Sequence, residues 1–274
     1  MFVDGIMGNI LGMLEQLRER IGSTASDVAK TPQTWNSGIF ETVRELSETA
    51  IIPVAAIILT YVVCYELIQM VIADNNMNQF EPVMLFKWIV KTAIGIFLLT
   101  HTFDIIMGVF DLSQWVIMQA NTVMGNEINI TAIETSTLRD TLNQMSLGDL
   151  LLMYLQVAVV SLAMKVLSIV IFIVVSARMM QIYLTISLAP IPVATMTNKE
   201  WGQIGNGYIK QIFALAFQGA LIIVCLAIYA RLATDFLVSG GLETSIWTLL
   251  GNTVLLGYML IKTGGIAQSI FQAH

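Results

Sequence analysis

The sequence has few charged residues for its length. Only 12% of its 274 residues are Asp, Glu, Lys or Arg, whereas 56% are hydrophobic. A soluble globular domain usually carries about 25% charged residues, so this composition excludes disorder and argues against a soluble enzyme. The mean hydropathy of +0.77 indicates that lipid is the solvent for much of the chain.

Cysteine and histidine are also scarce. Cys64 and Cys225 lie in apolar runs, where small core residues are expected, and His101 and His274 have no ligand neighbours at metal spacing. We therefore expect no disulfide framework, no metal and no cofactor. The 13 basic residues are scattered against 19 acidic ones, which argues against an independent nucleic-acid-binding module. The sequence contains no nucleophile elbow, phosphate loop or pair of catalytic carboxylates, so we expect no enzyme.

An amphipathic region is predicted at residues 1–49. Apolar residues recur there at spacings of three and four, and charged residues fall mostly off that stripe, which is typical of an amphipathic helix. This helix is expected to lie on the bilayer surface or to pack on a neighbouring subunit. The stripe consists of Val3, Ile6, Met7, Ile10, Leu14, Leu17 and Ile21.

Apolar segments long enough to cross or enter a membrane follow in series. About 20 helical residues cross roughly 30 Å of hydrocarbon, and six segments approach that length. The predicted fold class is therefore all-α: a polytopic helical membrane protein with about six transmembrane or re-entrant segments and an N-terminal amphipathic helix. The segments are Ile51–Ala73, Val83–Phe110, Leu150–Val175, Met179–Met196, Gln211–Ala230 and Ile246–Ile261.

These segments divide the chain into further regions. Residues 50–110 hold the first two transmembrane helices, residues 111–149 form one acidic extramembrane loop, and residues 150–274 form a helical region with a proline-broken segment. Lysine and arginine counts favour a cytoplasmic N-terminus, whereas the acidic loop is typical of an exported face. The topology is left open by these opposing signals.

Two charged residues lie inside predicted spans. Lys165 is near the middle of the third segment, and Glu66 is two-thirds along the first. A basic side chain at mid-membrane costs roughly 2.5–3.5 kcal/mol and needs a partner or water, so we predict a Glu66–Lys165 pair. The alternatives are that this is a structural ion pair, that the lysine snorkels to the interface, or that it lines a water-filled path or an oligomer contact.

Breaks and polar groups mark the later spans. Arg178 separates the third and fourth segments, which form a helical hairpin or one bent helix. Pro190 and Pro192 must break a regular helix, in a re-entrant or hinged segment at a pore or in a kink near the interface. Trp201 is expected to be an interfacial anchor, and Gln218 a hydrogen-bonding group in a close helix contact.

The order of these features resembles a known family. Ser176-Ala177-Arg178, then Leu188-Ala189-Pro190-Ile191-Pro192, Trp201-Gly202-Gln203 and Ala216-Phe217-Gln218-Gly219-Ala220 are similar to the TrbL or VirB-six family of conjugative type IV secretion proteins, in its Gram-positive mobile-element version. The resemblance implies a multi-pass, oligomeric channel or scaffold subunit in the bacterial cytoplasmic membrane. Implied partners are other channel subunits and cytoplasmic ATPases, with transient contact to relaxase-bound single-stranded DNA.

Two other classes of function fit the composition. A small-molecule or ion transporter would use Glu66, His101 and Asp104 within the membrane, but the sequence shows no internal repeat of the kind many transporters have. A holin-like or purely structural membrane protein would not need intramembrane charges.

Overall fold

The chain folds into helices in every part that the structure describes. The computed structural model describes residues 2–73, 82–125, 139, 142–239 and 242–273, and no strand occurs within these ranges. The helices are α1 (Phe2–Val28), α2 (Pro32–Trp35), α3 (Ser37–Leu46), a π-helical turn (Ser47–Ile51), α4 (Ile52–Ala73), α5 (Pro82–Thr100), α6 (Thr102–Gly125), α7 (Leu147–Ser187), α8 (Pro190–Ala194), α9 (Gly202–Ser239) and α10 (Leu242–Phe271).

Among the described residues, five helices are long and apolar enough to cross a membrane. They cover Ser37–Ile72, Pro82–Thr100, Leu147–Ser187, Gly202–Ala233 and Ile246–Phe271. The first includes α3, the π-helical turn and α4, and the wider turn lies just before Pro53, where a proline ring would otherwise crowd the preceding carbonyls. The chain is therefore an all-α polytopic membrane protein, as the sequence predicts.

The count of about six segments changes because two predicted segments merge. Residues 150–175 and 179–187 belong to one helix, α7, which contains 41 residues, so the hairpin alternative at Arg178 is wrong. The second predicted segment is also too long, because α5 ends at Thr100 and α6 begins at Thr102. Residues 111–125, predicted to begin a loop, continue α6 as helix.

The chain forms two compact units that do not follow sequence order. The first unit consists of Met1–Lys30, Gln114–Ala177 and Gln218–Gly264, and the second consists of Thr31–Ser113, Arg178–Phe217 and Gly265–His274. The boundaries between the two units fall inside helices α6, α7, α9 and α10.

The first unit packs α1 against the apolar parts of α7, α9 and α10. Ile6, Ile10 and Ile21 of the predicted stripe are buried, in one core with every third or fourth residue of α7. These three stripe residues are therefore covered by the same chain. The α7 residues in this core are Leu150, Met153, Val157, Val160, Met164, Leu167, Ile171 and Val175.

The second unit contains two antiparallel helix pairs. Helices α4 and α5 form the first pair, in which Leu59 lies beside Gly95 and Glu66 beside Lys91. The C-terminal part of α7 and the N-terminal part of α9 form the second pair. Its core contains Phe40, Phe103, Ile106, Phe110, Met179, Ile182, Tyr183, Ile186, Ile212 and Leu215.

Candidate functional site

The proline-containing segment is a connector between two antiparallel helices. We define the connector as residues 188–201, which join α7 to α9 and contain α8. Helix α7 ends at Ser187, and Pro190 is the first residue of α8, where the missing N–H of proline costs nothing. The long helix therefore breaks before Pro190, whereas Pro192 lies within α8. The chain direction reverses across the connector: the Tyr208 hydroxyl donates to Thr185 O at 3.1 Å.

Short turns satisfy the carbonyls that the break frees. Ile186 O accepts from the N–H of Ala189 at 3.1 Å, and Leu188 O from the N–H of Ile191 at 3.2 Å. Pro192 O accepts both the N–H and the hydroxyl of Thr195, at 3.2 and 2.7 Å. A broken helix is tolerated within a membrane only when its backbone groups are satisfied in this way.

The connector is seated on the α4–α5 pair. Ala194 is completely buried, and it packs in one apolar cluster with Ala55, Leu59 and Leu99. At Gly95 an added Cβ would lie 2.6 Å from Cγ2 of Thr197, so α5 can approach the connector this closely only because residue 95 is glycine.

Glu66 joins both helices of the pair to the connector. Its Oε1 accepts from Nζ of Lys91 at 2.6 Å, and its Oε2 accepts from Nδ2 of Asn198 at 2.7 Å. The Glu66 side chain is 14% exposed, so both carboxylate oxygens are used in a mostly desolvated place. The predicted partner, Lys165, is wrong: the cation on Glu66 is Lys91, which the antiparallel register of α4 and α5 brings opposite it.

Asn198 is the centre of this contact. It is 3% exposed, and its Oδ1 accepts the backbone N–H groups of Glu200 at 2.7 Å and Trp201 at 3.2 Å. One amide therefore fixes the turn at the end of the connector through its oxygen and holds Glu66 through its nitrogen.

Aromatic stacking and a second polar contact also hold the connector against α4. Trp201 stacks on Tyr61 and Tyr65 with ring centroids 5.5 and 6.1 Å apart. Gln69 donates to Oε1 of Glu200 at 3.0 Å. Trp201, predicted as an interfacial anchor, thus packs on α4, and the contacts of residues 61, 65, 66 and 69 lie on one face of that helix.

Arg178 lies inside a continuous helix instead of at a hinge. It is 4% exposed, and its Nε and Nη2 donate to Leu215 O and Ala216 O of α9, both at 3.1 Å. Ser113 of α6 donates to the same Ala216 oxygen at 2.5 Å. Carbonyls already used in a helix accept a second donor through their other lone pair, so Arg178 fastens α7 to α9.

Lys165 is on the outer face of α7, opposite the core of the first unit. It is exposed and lines a cavity of about 750 Å³ with the polar side of α1. Gln218, by contrast, is buried at 7% exposure and donates to Oγ1 of Thr263 at 3.4 Å. The close helix contact predicted for Gln218 is therefore present, between α9 and α10.

Sequence reasoning missed Asn198, Lys91 as the partner of Glu66, and Tyr183. The Tyr183 hydroxyl donates to Pro32 O at 2.6 Å and to Asn36 O at 3.2 Å, which fixes the start of α3. An amide residue six positions after Pro192 was the available signal for Asn198. Among the described residues, no three His, Cys, Asp or Glu side chains come together to hold a metal ion.

Comparison with known protein families identifies a related family. The family model described as TrbL/VirB6 plasmid conjugal transfer like protein matches residues 17–190, from the middle of α1 to the first residue of α8. No curated protein and no solved structure matches the chain.

Proposed function

Because the chain belongs to the TrbL/VirB6-like plasmid conjugal transfer family, we propose that it is a channel or scaffold subunit of a conjugative type IV secretion system. In this role it supports the transfer of relaxase-bound single-stranded DNA across the cell membrane. The family match over residues 17–190 carries the proposal, since it contains three of the five possible membrane spans in full.

 The matched residues contain α2 to α7 in full and end inside the connector.

Three properties of the chain support a role in the wall of the apparatus. The chain has five helices able to span the membrane. Within the second unit, the connector is held on the α4–α5 pair by Glu66 and Asn198, which makes that part a fixed frame. The sequence carries no phosphate loop for a motor, so the energy for transfer comes from separate cytoplasmic ATPases.

Assembly with other subunits follows from the same role. One Lys165 per chain, near the middle of its predicted span, is little positive charge for a nucleic acid path. A ring of identical subunits repeats that charge once per copy. We therefore include homo-oligomerisation, contact with other channel subunits and transient contact with single-stranded DNA in the proposal.

The transporter alternative is less well supported by the contacts of its residues. Glu66 is bound to Lys91 and Asn198, and Nδ1 of His101 lies 3.1 Å from Phe97 O and 3.0 Å from Oγ1 of Thr100 in its own helical turn. Neither group is placed as an open carrier site for a proton or ion.

Mating frequency from a donor that lacks this gene tests the proposal. We expect transfer to be lost and to return on complementation with the intact gene. A photo-crosslinking residue at position 165, compared with one at the exposed position 210, then separates the two roles. DNA crosslinks at 165 with loss of transfer indicate a channel wall, and loss without crosslinks indicates a scaffold. Unchanged transfer in the deletion donor would refute the proposal.

A further inference from the structure

The cavity beside Lys165 has one polar wall and one apolar wall. We call it the α1–α7 cavity. Its polar wall consists of Gln16, Glu19, Arg20 and Ser23, which lie on one face of α1 at spacings of three, one and three. Its volume of about 750 Å³ is within the range of about 300–1,000 Å³ that is typical of small-molecule sites.

The α7 side of the cavity contributes both polar and apolar side chains. Lys165, Ser168, Ile169 and Phe172 lie on one face of α7 at helical spacing, and the buried Met164, Leu167 and Ile171 also line the cavity. Ile169 is 60% exposed and Phe172 is 70% exposed. Large apolar side chains left open beside a cationic group form a surface suited to an amphiphile, whose two ends need two different environments.

Two cations face this cavity without an ion-pair partner among the described residues. Lys165 and Arg20 both line it, and neither forms a salt bridge with a described carboxylate, whereas four other basic residues do. Glu19 is the one carboxylate in the lining, so the formal charge of the lining is +1. An unpaired cation on an apolar span is costly, and an anionic ligand between Arg20 and Lys165 would offset that cost.

We propose that the α1–α7 cavity binds an anionic glycerophospholipid, with its phosphodiester between Arg20 and Lys165 and an acyl chain along Ile169 and Phe172. Basic pockets next to membrane-spanning helices recognise anionic lipid headgroups through the same chemistry. The lipid covers the polar face of α1 where α1 packs on α7, so it acts as a third component of that contact. This inference does not depend on the role in conjugation.

Lipid binding by the purified full-length chain in mixed micelles tests this assignment. Radiolabelled phosphatidylglycerol and phosphatidylcholine with identical acyl chains are titrated separately. Each cation near an anionic headgroup contributes about fivefold in affinity, and two cations line the site, so we expect phosphatidylglycerol to bind up to about 25-fold more tightly than the zwitterionic phosphatidylcholine. Lys165→Gln and Arg20→Gln should each reduce this preference about fivefold, and Lys165→Arg should retain it.

Two control variants distinguish binding at this cavity from a general effect of the protein's positive charge. Arg18→Gln removes a cation from α1 outside the lining, and Lys199→Gln removes an exposed cation of the connector; both should keep the preference. Phe172→Ala should weaken the binding of both lipids, because the acyl chain loses its apolar contact with the Phe172 ring. All variants are compared after their thermal unfolding midpoints show that they are folded.

Competition distinguishes the lipid from other phosphates. We expect neither inorganic phosphate nor a short oligothymidylate to displace bound phosphatidylglycerol. Displacement by phosphate would overturn the role of the apolar wall, and displacement by the oligonucleotide would make the cavity a DNA contact instead. Equal binding of the two lipids, or an unchanged preference in the Lys165→Gln variant, would also refute the proposal.

Discussion

Oε1 of Glu66 lies 2.6 Å from Nζ of Lys91, so the first two membrane helices are joined by an ion pair. The Lys91 side chain is 43% exposed and that of Glu66 is 14% exposed, which places the pair at the edge of the packed region. The other carboxylate oxygen binds Asn198. The pair therefore acts on the connector as well as on α4 and α5.

The coupling between Glu66 and Lys91 can be measured with a double-mutant cycle. We expect Glu66→Gln and Lys91→Met to be coupled by about 1 kcal/mol in the free energy of unfolding, since each variant leaves the other group without its partner. The measurement is reversible unfolding in mixed detergent micelles. The exposed i,i+4 pair Arg44–Glu48 is the matched control, with an expected coupling of about 0.3–0.5 kcal/mol. Strictly additive effects of the Glu66 and Lys91 variants would contradict the pairing.

Replacing Arg178 by lysine should destabilise the protein although the charge is kept. Lysine cannot reach Leu215 O and Ala216 O with two donors in a fixed fork, and the loss of one buried charged hydrogen bond costs about 1–3 kcal/mol. The same unfolding assay measures this cost. Arg18→Lys, at an exposed position of α1, should change the stability by less than about 0.5 kcal/mol. Equal effects of the two substitutions would show that the Arg178 contacts do not matter.

Gly205 and Gly207 should respond in opposite directions to alanine. A Cβ at Gly205 would lie 2.6 Å from Pro192 O, a backbone atom of the connector, whereas nothing lies within 4 Å of a Cβ at Gly207. Gly205→Ala should therefore cost about 1–3 kcal/mol, and Gly207→Ala should stabilise α9 by about 0.5–1 kcal/mol. Thermal unfolding midpoints of the two variants provide the test, and a stabilised Gly205→Ala variant would show that α9 does not approach the connector this closely.

Removing both prolines should release the connector from α4. In the Pro190→Ala, Pro192→Ala double variant α7 can continue past Ser187, so residues 198–201 lose their position. The assay is crosslinking by a short bismaleimide between Gln69→Cys and Glu200→Cys, whose native side chains are 3.0 Å apart, in a chain with Cys64 and Cys225 replaced by serine.

The crosslink should form efficiently with the prolines present and decrease severalfold without them. Pro82→Ala is the control, because Pro82 is the first residue of α5. A backbone N–H at that position has no partner within the helix, so the proline there removes no hydrogen bond. An undiminished crosslink in the double variant would mean that the prolines do not seat the connector.

Local patterns in the sequence were sufficient to predict most of the helices. The stripe of α1 and the apolar runs of α4, α7, α9 and α10 depend on the spacing of neighbouring residues, and so does the break at Pro190. The three polar or small residues at 176–178 were too weak a signal for a hairpin, because a helix can continue through an arginine whose donors reach carbonyls of the adjacent helix.

The partners of the charged residues were not predictable in the same way. Glu66 binds Lys91 because α4 and α5 are antiparallel and in a particular register, and it binds Asn198 because the connector returns to α4. Lys91 is 25 residues from Glu66, and Asn198 is 132 residues from it, so both choices depend on how separate segments pack together. Composition identified which groups needed partners but gave no basis for choosing them.

The unequal lengths of the spans limit the range of bilayer thickness in which the chain is stable. Helix α7 has 41 residues, or about 61 Å at 1.5 Å per residue, so it can cross a thick bilayer and tilt in a thin one. Helix α5 has only 19 residues, or about 28 Å, which is close to the hydrocarbon thickness of about 30 Å. Since α5 has no spare length, each added ångström of hydrocarbon must be met by local thinning of the lipid around it. Among the described spans the shortest, and not the longest, therefore sets the membrane thickness that the protein tolerates.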